Sequence, residues 1–234
     1  MRDTTARLGA RRTTPTPTGT VLARVLTALA LALVGLVLVQ PPAAHAATYS
    51  APIAQAVADL PVATESRTGY DRDLFEHWVD ADGDGCATRA EVLIEEAEDA
   101  PSVGSGCSIS GGRWFSYYDA TSYSSASDLD IDHMVPLAEA WDSGASGWSA
   151  GKREAYANDL DFYGSLIAVS ASTNRSKSDQ DPAEWMPPAG YACRYVTEWV
   201  SVKHRWGLSV DSAEKSALAS VAAGCTTTVS VPVY

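Results

Sequence analysis

The 234-residue chain is short of positive charge, with 17 Lys and Arg against 29 Asp and Glu. Five of the arginines, Arg2, Arg7, Arg11, Arg12 and Arg24, stand ahead of an N-terminal apolar run. With residues 1–46 set aside, 12 basic and 28 acidic residues remain, a net charge of −16. That balance excludes broad non-specific attraction to nucleic acid or to anionic membrane surfaces, so any polyanion binding must come from a local basic site. A C-x-x-C pair is also missing, which argues against a four-thiolate metal site. The apolar run "VLTALALALVGLVLV" falls short of the roughly 20 residues that span a bilayer. There is no internal repeat.

The N-terminus has the organisation of a secretory signal peptide: arginines, the apolar run, then "PPAAHA" with Ala44 and Ala46 in an A-x-A cleavage pattern. Cleavage before Ala47 is the expectation for residues 1–46, with an uncleaved anchor as the competing reading. The remaining 188 residues suit one exported domain with a sizeable core. Four cysteines remain in it, Cys86, Cys107, Cys193 and Cys225, an even number that reads as two disulfides in an oxidising compartment. Three connectivities are open. The sequential one, Cys86 with Cys107 and Cys193 with Cys225, is expected because each closes a local loop.

Residues 47–69 are small and weakly periodic and read as a flexible lead-in. Residues 70–110 read as helix, acidic loop, helix: "DRDLFEHWV" places Leu74, Phe75, Trp78 and Val79 at helical spacing, and "RAEVLIEEAEDA" repeats the pattern before Pro101. Between them, "DADGDGCATRAE" matches the calcium-loop pattern D-x-[DN]-x-[DN]-G-x5-E at Asp80, Asp82, Asp84, Gly85 and Glu91. Ala87 replaces the usual branched apolar residue and there is no partner hand. A structural Ca²⁺, a metal-free Asp/Gly turn and a regulatory switch are the three readings, and the first fits best with a calcium-rich exterior.

From residue 111 onward, "RWFSYYD" and "DLDIDHMV" read as extended segments, "PLAEAW" and "SAGKREAYANDL" as short helices, and "SLIAVSA" as a buried strand. "STNRSKSDQ" reads as a helix with a Ser or Thr cap. "YACRYVTEWVSVKHRW" and "SAEKSALASVAAGC" close the chain as helices, the last stopped by Gly224.

The order strand "DIDH", helical insertion with "ND", strand "SLIAVSA", helix "TNRSK" resembles the HNH endonucleases. With "DHMVPLAEAWDSGA", "ANDL", "NRSKSDQDPAEWMPP" and "EKSAL" in sequence, it resembles secreted bacterial members of that family over roughly residues 70–225. The resemblance implies an α+β protein with a ββα-metal core at residues 111–234, a helical insertion and flanking helices. It also implies one Mg²⁺ or Mn²⁺ held by Asp132 and Asn174, with His133 as general base. Asn158 is the candidate for the motif's central Asn, although it also reads as a helix C-cap. Arg175 and Lys177, near a helix start, are candidates for the substrate phosphate.

Other residues carry less. Asp130 sits one strand repeat from Asp132, and Glu139 reads as a surface helix residue. Lys203, His204 and Arg205 fit either a phosphate track or favourable charge at a helix C-terminus. Trp185 reads as core. The expectation is a secreted, monomeric, metal-dependent endonuclease acting on DNA, with RNA left open, of low sequence specificity because no base-reading module is present. The alternative is a secreted calcium-binding or interaction module on the same scaffold without catalysis.

Overall fold

The computed structural model describes residues 47–234. The expected signal peptide lies outside these residues.

The expected flexible lead-in is instead built into the core. β1 (Thr48–Pro52) is followed directly by α1 (Ile53–Asp59), whose Ile53, Ala56 and Val57 are buried with Leu60 beyond the helix end, an i, i+3, i+4, i+7 stripe. Small residues between these positions made the stripe easy to overlook. Tyr49 stacks on His204 at 3.7 Å, and His204 Nε2 meets the Ala56 carbonyl at 2.8 Å.

A second difference follows at 71–79. In place of a helix there is one 3₁₀ turn, Arg72–Leu74, capped by Asp71, after which Phe75 is extended and fully buried. Trp78 then takes a left-handed backbone, φ 64°. The helical spacing was genuine, but Phe75 is the one apolar residue of the stretch that the core takes in whole. The acidic loop therefore has a helix on one side only, α2 (Thr88–Glu95).

Two small hairpins come next: β2 (Ser102–Val103) with β3 (Ile109–Ser110), and β4 (Trp114–Ser116) with β5 (Thr121–Tyr123). The central unit is β6 (Leu129–His133), α3 (Leu137–Asp142), α4 (Ala150–Ala157), β7 (Leu166–Ser170) and α5 (Ala171–Lys177). β6 and β7 pair antiparallel, from Leu129 opposite Ser170 to His133 opposite Leu166. Alternation divides the ribbon: Leu129, Ile131, Leu166 and Ala168 pack with Val92, Leu93 and Trp114, whereas Ile167 and Val169 join the larger core. α5 packs against both strands.

The larger core centres on α6 (Ala192–Trp206), with Tyr195, Val196, Trp199, Val200 and Trp206 buried, and on α7 (Ser212–Ala222). β8 (Thr228–Pro232), which the sequence had not announced, pairs antiparallel with β1 and buries Val229 and Val231. The chain is thus α+β, with helices around small sheets. Cys86 and Cys107 have Cα atoms 5.1 Å apart, and Cys193 and Cys225 5.6 Å, both within disulfide reach.

The basic cluster at the end of α6 is neither a phosphate track nor a simple dipole complement. Lys203 is fully buried and donates to Glu139 Oε1 at 2.6 Å, Ser143 Oγ at 2.7 Å, the Ser209 carbonyl at 2.9 Å and Glu214 Oε2 at 3.1 Å. Arg205 forks onto Asp159 at 2.7 and 2.8 Å. Glu139, expected on the surface, is likewise buried. Paired charges can be enclosed because each has its donors or acceptors supplied. Trp185, expected in the core, is half-buried against Tyr118 and Tyr195.

Candidate active site

The C-terminal end of β6 brings a carboxylate and an imidazole to one place. Asp132 and His133 are both buried, 6% and 5% exposed, yet both line a polar cleft of about 450 Å³ together with Asn174 and Arg175 from α5. Adjacent strand residues normally face opposite ways. Here the strand ends at His133, before Pro136 opens α3, and both residues contribute to the cleft wall.

Asp132 is held by two donors on the same oxygen. Lys177 Nζ lies 2.7 Å from Asp132 Oδ2, and the Tyr118 hydroxyl donates to that atom at 2.7 Å. Burial raises the Asp132 pKa, against the pull of Lys177 and of the Tyr118 hydrogen bond. The other oxygen, Oδ1, carries neither contact.

The imidazole of His133 lies between aromatic rings, with Trp78 5.4 Å away and Tyr156 stacked at 6.4 Å. Its Nε2 is 2.9 Å from the Ala157 carbonyl. A carbonyl can only accept, so Nε2 bears the proton and Nδ1 the lone pair. Burial pushes the His133 pKa down to about 3, which keeps the ring neutral at ordinary pH.

Asn158 is not in this cleft. It follows α4 and acts as a clasp: its Nδ2 donates to the carbonyls of Glu76 and Glu154, each at 2.8 Å, and its Oδ1 accepts from Val79 N at 3.1 Å and Thr88 Oγ1 at 2.9 Å. It ties the 76–79 segment and the start of α2 to α4, one residue beyond the carbonyl that orients His133. Asn158 is the C-cap of α4, and its side chain contacts the 76–79 segment and Thr88 rather than the β6 segment that carries His133.

Lys177 differs from its expected place. It is wholly enclosed, bonded to Asp132 and within 3.3 Å of the His133 carbonyl, so its charge is not available to a ligand phosphate. Arg175 and Lys177 also fall in the last turn of α5 rather than at its start. Arg175 is 75% exposed and 3.9 Å from Asp130 Oδ2, toward which Asn174 Nδ2 points at 3.5 Å. Sequence reasoning missed Arg67, Tyr70 and Arg72, which line the same cleft, and Tyr118. The first three stand in a stretch taken for lead-in and helix, and no spacing signal connects them to residue 132.

The acidic loop is a separate feature. Carboxylate oxygens of Asp80, Asp82 and Asp84 lie within 4.8 Å of one another, all exposed. They accept from backbone N–H groups of Gly83, Asp84, Gly85 and Cys86, with Gly83 and Gly85 at φ 77° and 95°, a turn that favours glycine. Glu91 is pushed up by burial and by these three acids. Thr88 bonds to the Val79 carbonyl and Arg89 to the Leu129 carbonyl, so the segment after the loop braces β6.

A buried Asp and His at a strand end thus share the wall of one polar cleft with an Asn and an Arg. The model of the GmrSD restriction endonucleases, C-terminal domain, matches residues 82–221, and the chain belongs to that family. An "Uncharacterized secreted protein" of Arthroderma benhamiae is 46% identical over 158 residues, covering 67% of this chain and 76% of the relative. No solved structure matches. Among the described residues no helix is long and apolar enough to cross a membrane.

Proposed function

We propose that the protein is an exported, metal-dependent endonuclease of the HNH type, hydrolysing phosphodiester bonds in DNA, with RNA as a second candidate substrate, and with little sequence specificity. The observation that carries this reading is the convergence of Asp132, His133, Asn174 and Arg175 on one cleft in a chain of a restriction-endonuclease family. Export is supported by the Arg-rich, apolar, A-x-A N-terminus and by the description of the fungal relative as secreted.

The donor set suits a hard cation. Asp132 retains an oxygen not engaged by Lys177 or Tyr118, and Asn174 offers an amide oxygen on the same cleft, leaving room for water and phosphate as Mg²⁺ requires. A Mg²⁺ or Mn²⁺ held there supplies neutralisation of the charge that develops on the scissile phosphate and leaving oxygen. His133, neutral and with Nδ1 free to accept, takes the proton of the attacking water. The Ala157 carbonyl fixes its tautomer. Arg175 orients the phosphate, and Lys177 holds Asp132 in place rather than touching substrate. In the same reading the clustered Asp80, Asp82 and Asp84 take a structural Ca²⁺, with Glu91, which lies outside that cluster, as the further expected ligand.

The test is a supercoiled plasmid and a labelled RNA incubated with purified protein in Mg²⁺, Mn²⁺ or EDTA. Metal-dependent nicking that EDTA abolishes is expected. A protein that leaves both substrates intact in either metal contradicts the reading and favours the non-catalytic calcium-binding module.

A further inference from the structure

Among the described residues four Lys or Arg side chains lie in or beside the cleft, and two of them, Lys177 and Arg67, are held in close ion pairs. Lys177 is spent on Asp132 at 2.7 Å. Arg67 bridges Asp142 Oδ2 and Asp179 Oδ2, each at 2.6 Å, linking the end of α3 to the residues after α5. Arg175 shares its charge with Asp130 at 3.9 Å. Arg72 lines the same cleft, is exposed, and among the described residues has no carboxylate within 4.0 Å.

Its backbone is fixed on both sides. Trp141 Nε1 donates to the Thr68 carbonyl at 3.2 Å, Tyr70 packs edge-on against Trp141, Asp71 caps the 3₁₀ turn, and Phe75 is sealed in the core. Arg67 works as the strut that holds this segment on the cleft wall, and Arg72 is the guanidinium the strut presents.

We propose that Arg72 binds a backbone phosphate adjacent to the one being cut, so that the segment 67–72, which precedes the family-matched residues 82–221, completes the substrate site. This rests on the nuclease reading for the identity of the ligand, a nucleic-acid strand. In a chain with so large an excess of acids, an uncommitted cation beside the cleft is what a polyanion needs on approach. A guanidinium offers a planar fork that matches two phosphate oxygens. The contact reads charge and spacing along the backbone and carries no base information.

The experiment measures fluorescence anisotropy of a labelled single-stranded 12-mer as a function of salt, with EDTA present to prevent cleavage, for the parent protein, Arg72→Gln and Arg72→Lys. Loss of one phosphate contact makes the slope of log K against log salt shallower by about 0.7. Arg72→Gln is expected to show that change with roughly tenfold weaker binding at low salt, and Arg72→Lys to keep the parent's slope. Identical slopes for parent and Arg72→Gln overturn the proposal. The two readings fail separately. Plasmid cleavage in Mg²⁺ with an unchanged Arg72→Gln slope removes the Arg72 contact alone. Binding with the expected slope change but no cleavage removes the nuclease reading and leaves the contact standing.

Discussion

Lys177, wholly enclosed, lies 2.7 Å from Asp132 Oδ2, so the most acidic-looking point of the cleft is an internal ion pair. Burial lowers the Lys177 pKa while Asp132 pulls it up, and the two charges depend on each other. Removing one partner strands the other: Lys177→Met is expected to cost about 3–5 kcal/mol in urea unfolding at pH 7. The double variant Asp132→Asn, Lys177→Met should recover much of that stability and none of the cleavage. A single variant within 1 kcal/mol of the parent, on the order of an exposed pair, would contradict the enclosed geometry.

Asn158 makes four hydrogen bonds that join three segments. Asn158→Ala leaves the Val79 N–H and two carbonyls without these partners, at an expected cost of about 2–4 kcal/mol. Because the neighbouring Ala157 carbonyl orients His133, cleavage should slow as well even in protein that remains folded at the assay temperature. Thermal melts and turnover on the same preparation check both. Full activity at reduced stability would separate the clasp from the imidazole.

Glu96 is deeply buried, accepts from Ala168 N at 2.8 Å, and is pushed up to about 8, chiefly by burial. A carboxyl raised in the folded state contributes stability that is complete below its unfolded value near 4.5 and is lost as pH rises through about 8. Across that window its loss amounts to at most about 1.4 kcal/mol per pH unit. Glu65, raised to about 7, and Glu214, raised to about 8, tilt the same way. Comparing Glu96→Gln with the parent isolates this group, since the Gln oxygen can still accept from Ala168 N. The stability difference should shift in favour of the variant between pH 5.5 and 8.5; parallel profiles would show that Glu96 does not titrate there.

At the acidic loop, Ca²⁺ at 100 times its dissociation constant would add about 2.7 kcal/mol to the folded state. Millimolar Ca²⁺ is therefore expected to raise the parent's melting temperature and to leave Asp82→Ala nearly unmoved. Equal shifts in both proteins would contradict a calcium site there.

The sequence made the ββα order readable because its signals are local. The alternation in "DLDIDH", the apolar run "SLIAVS" and the stripe of Tyr195, Trp199 and Val202 each declare one element within a few residues. β1 and β8 were not readable, since each needs a partner some 180 residues away. The 71–79 segment has helical spacing, but tertiary anchors at Phe75 and Asn158 override it. Charge was the least legible property. Lys177, Lys203 and Glu139 look like solvent residues in sequence and are enclosed because each meets a specific partner. The same blindness hid Arg72, which lines the cleft and among the described residues has no carboxylate partner.

The most direct measurement is the Mg²⁺-dependent rate of plasmid cleavage by His133→Ala, beside a thermal melt showing that the variant is folded. Loss of a positioned general base is expected to slow cleavage by roughly 10²–10⁴-fold. A folded His133→Ala protein that cuts as fast as the parent would contradict the assignment of the β6 end as the catalytic centre.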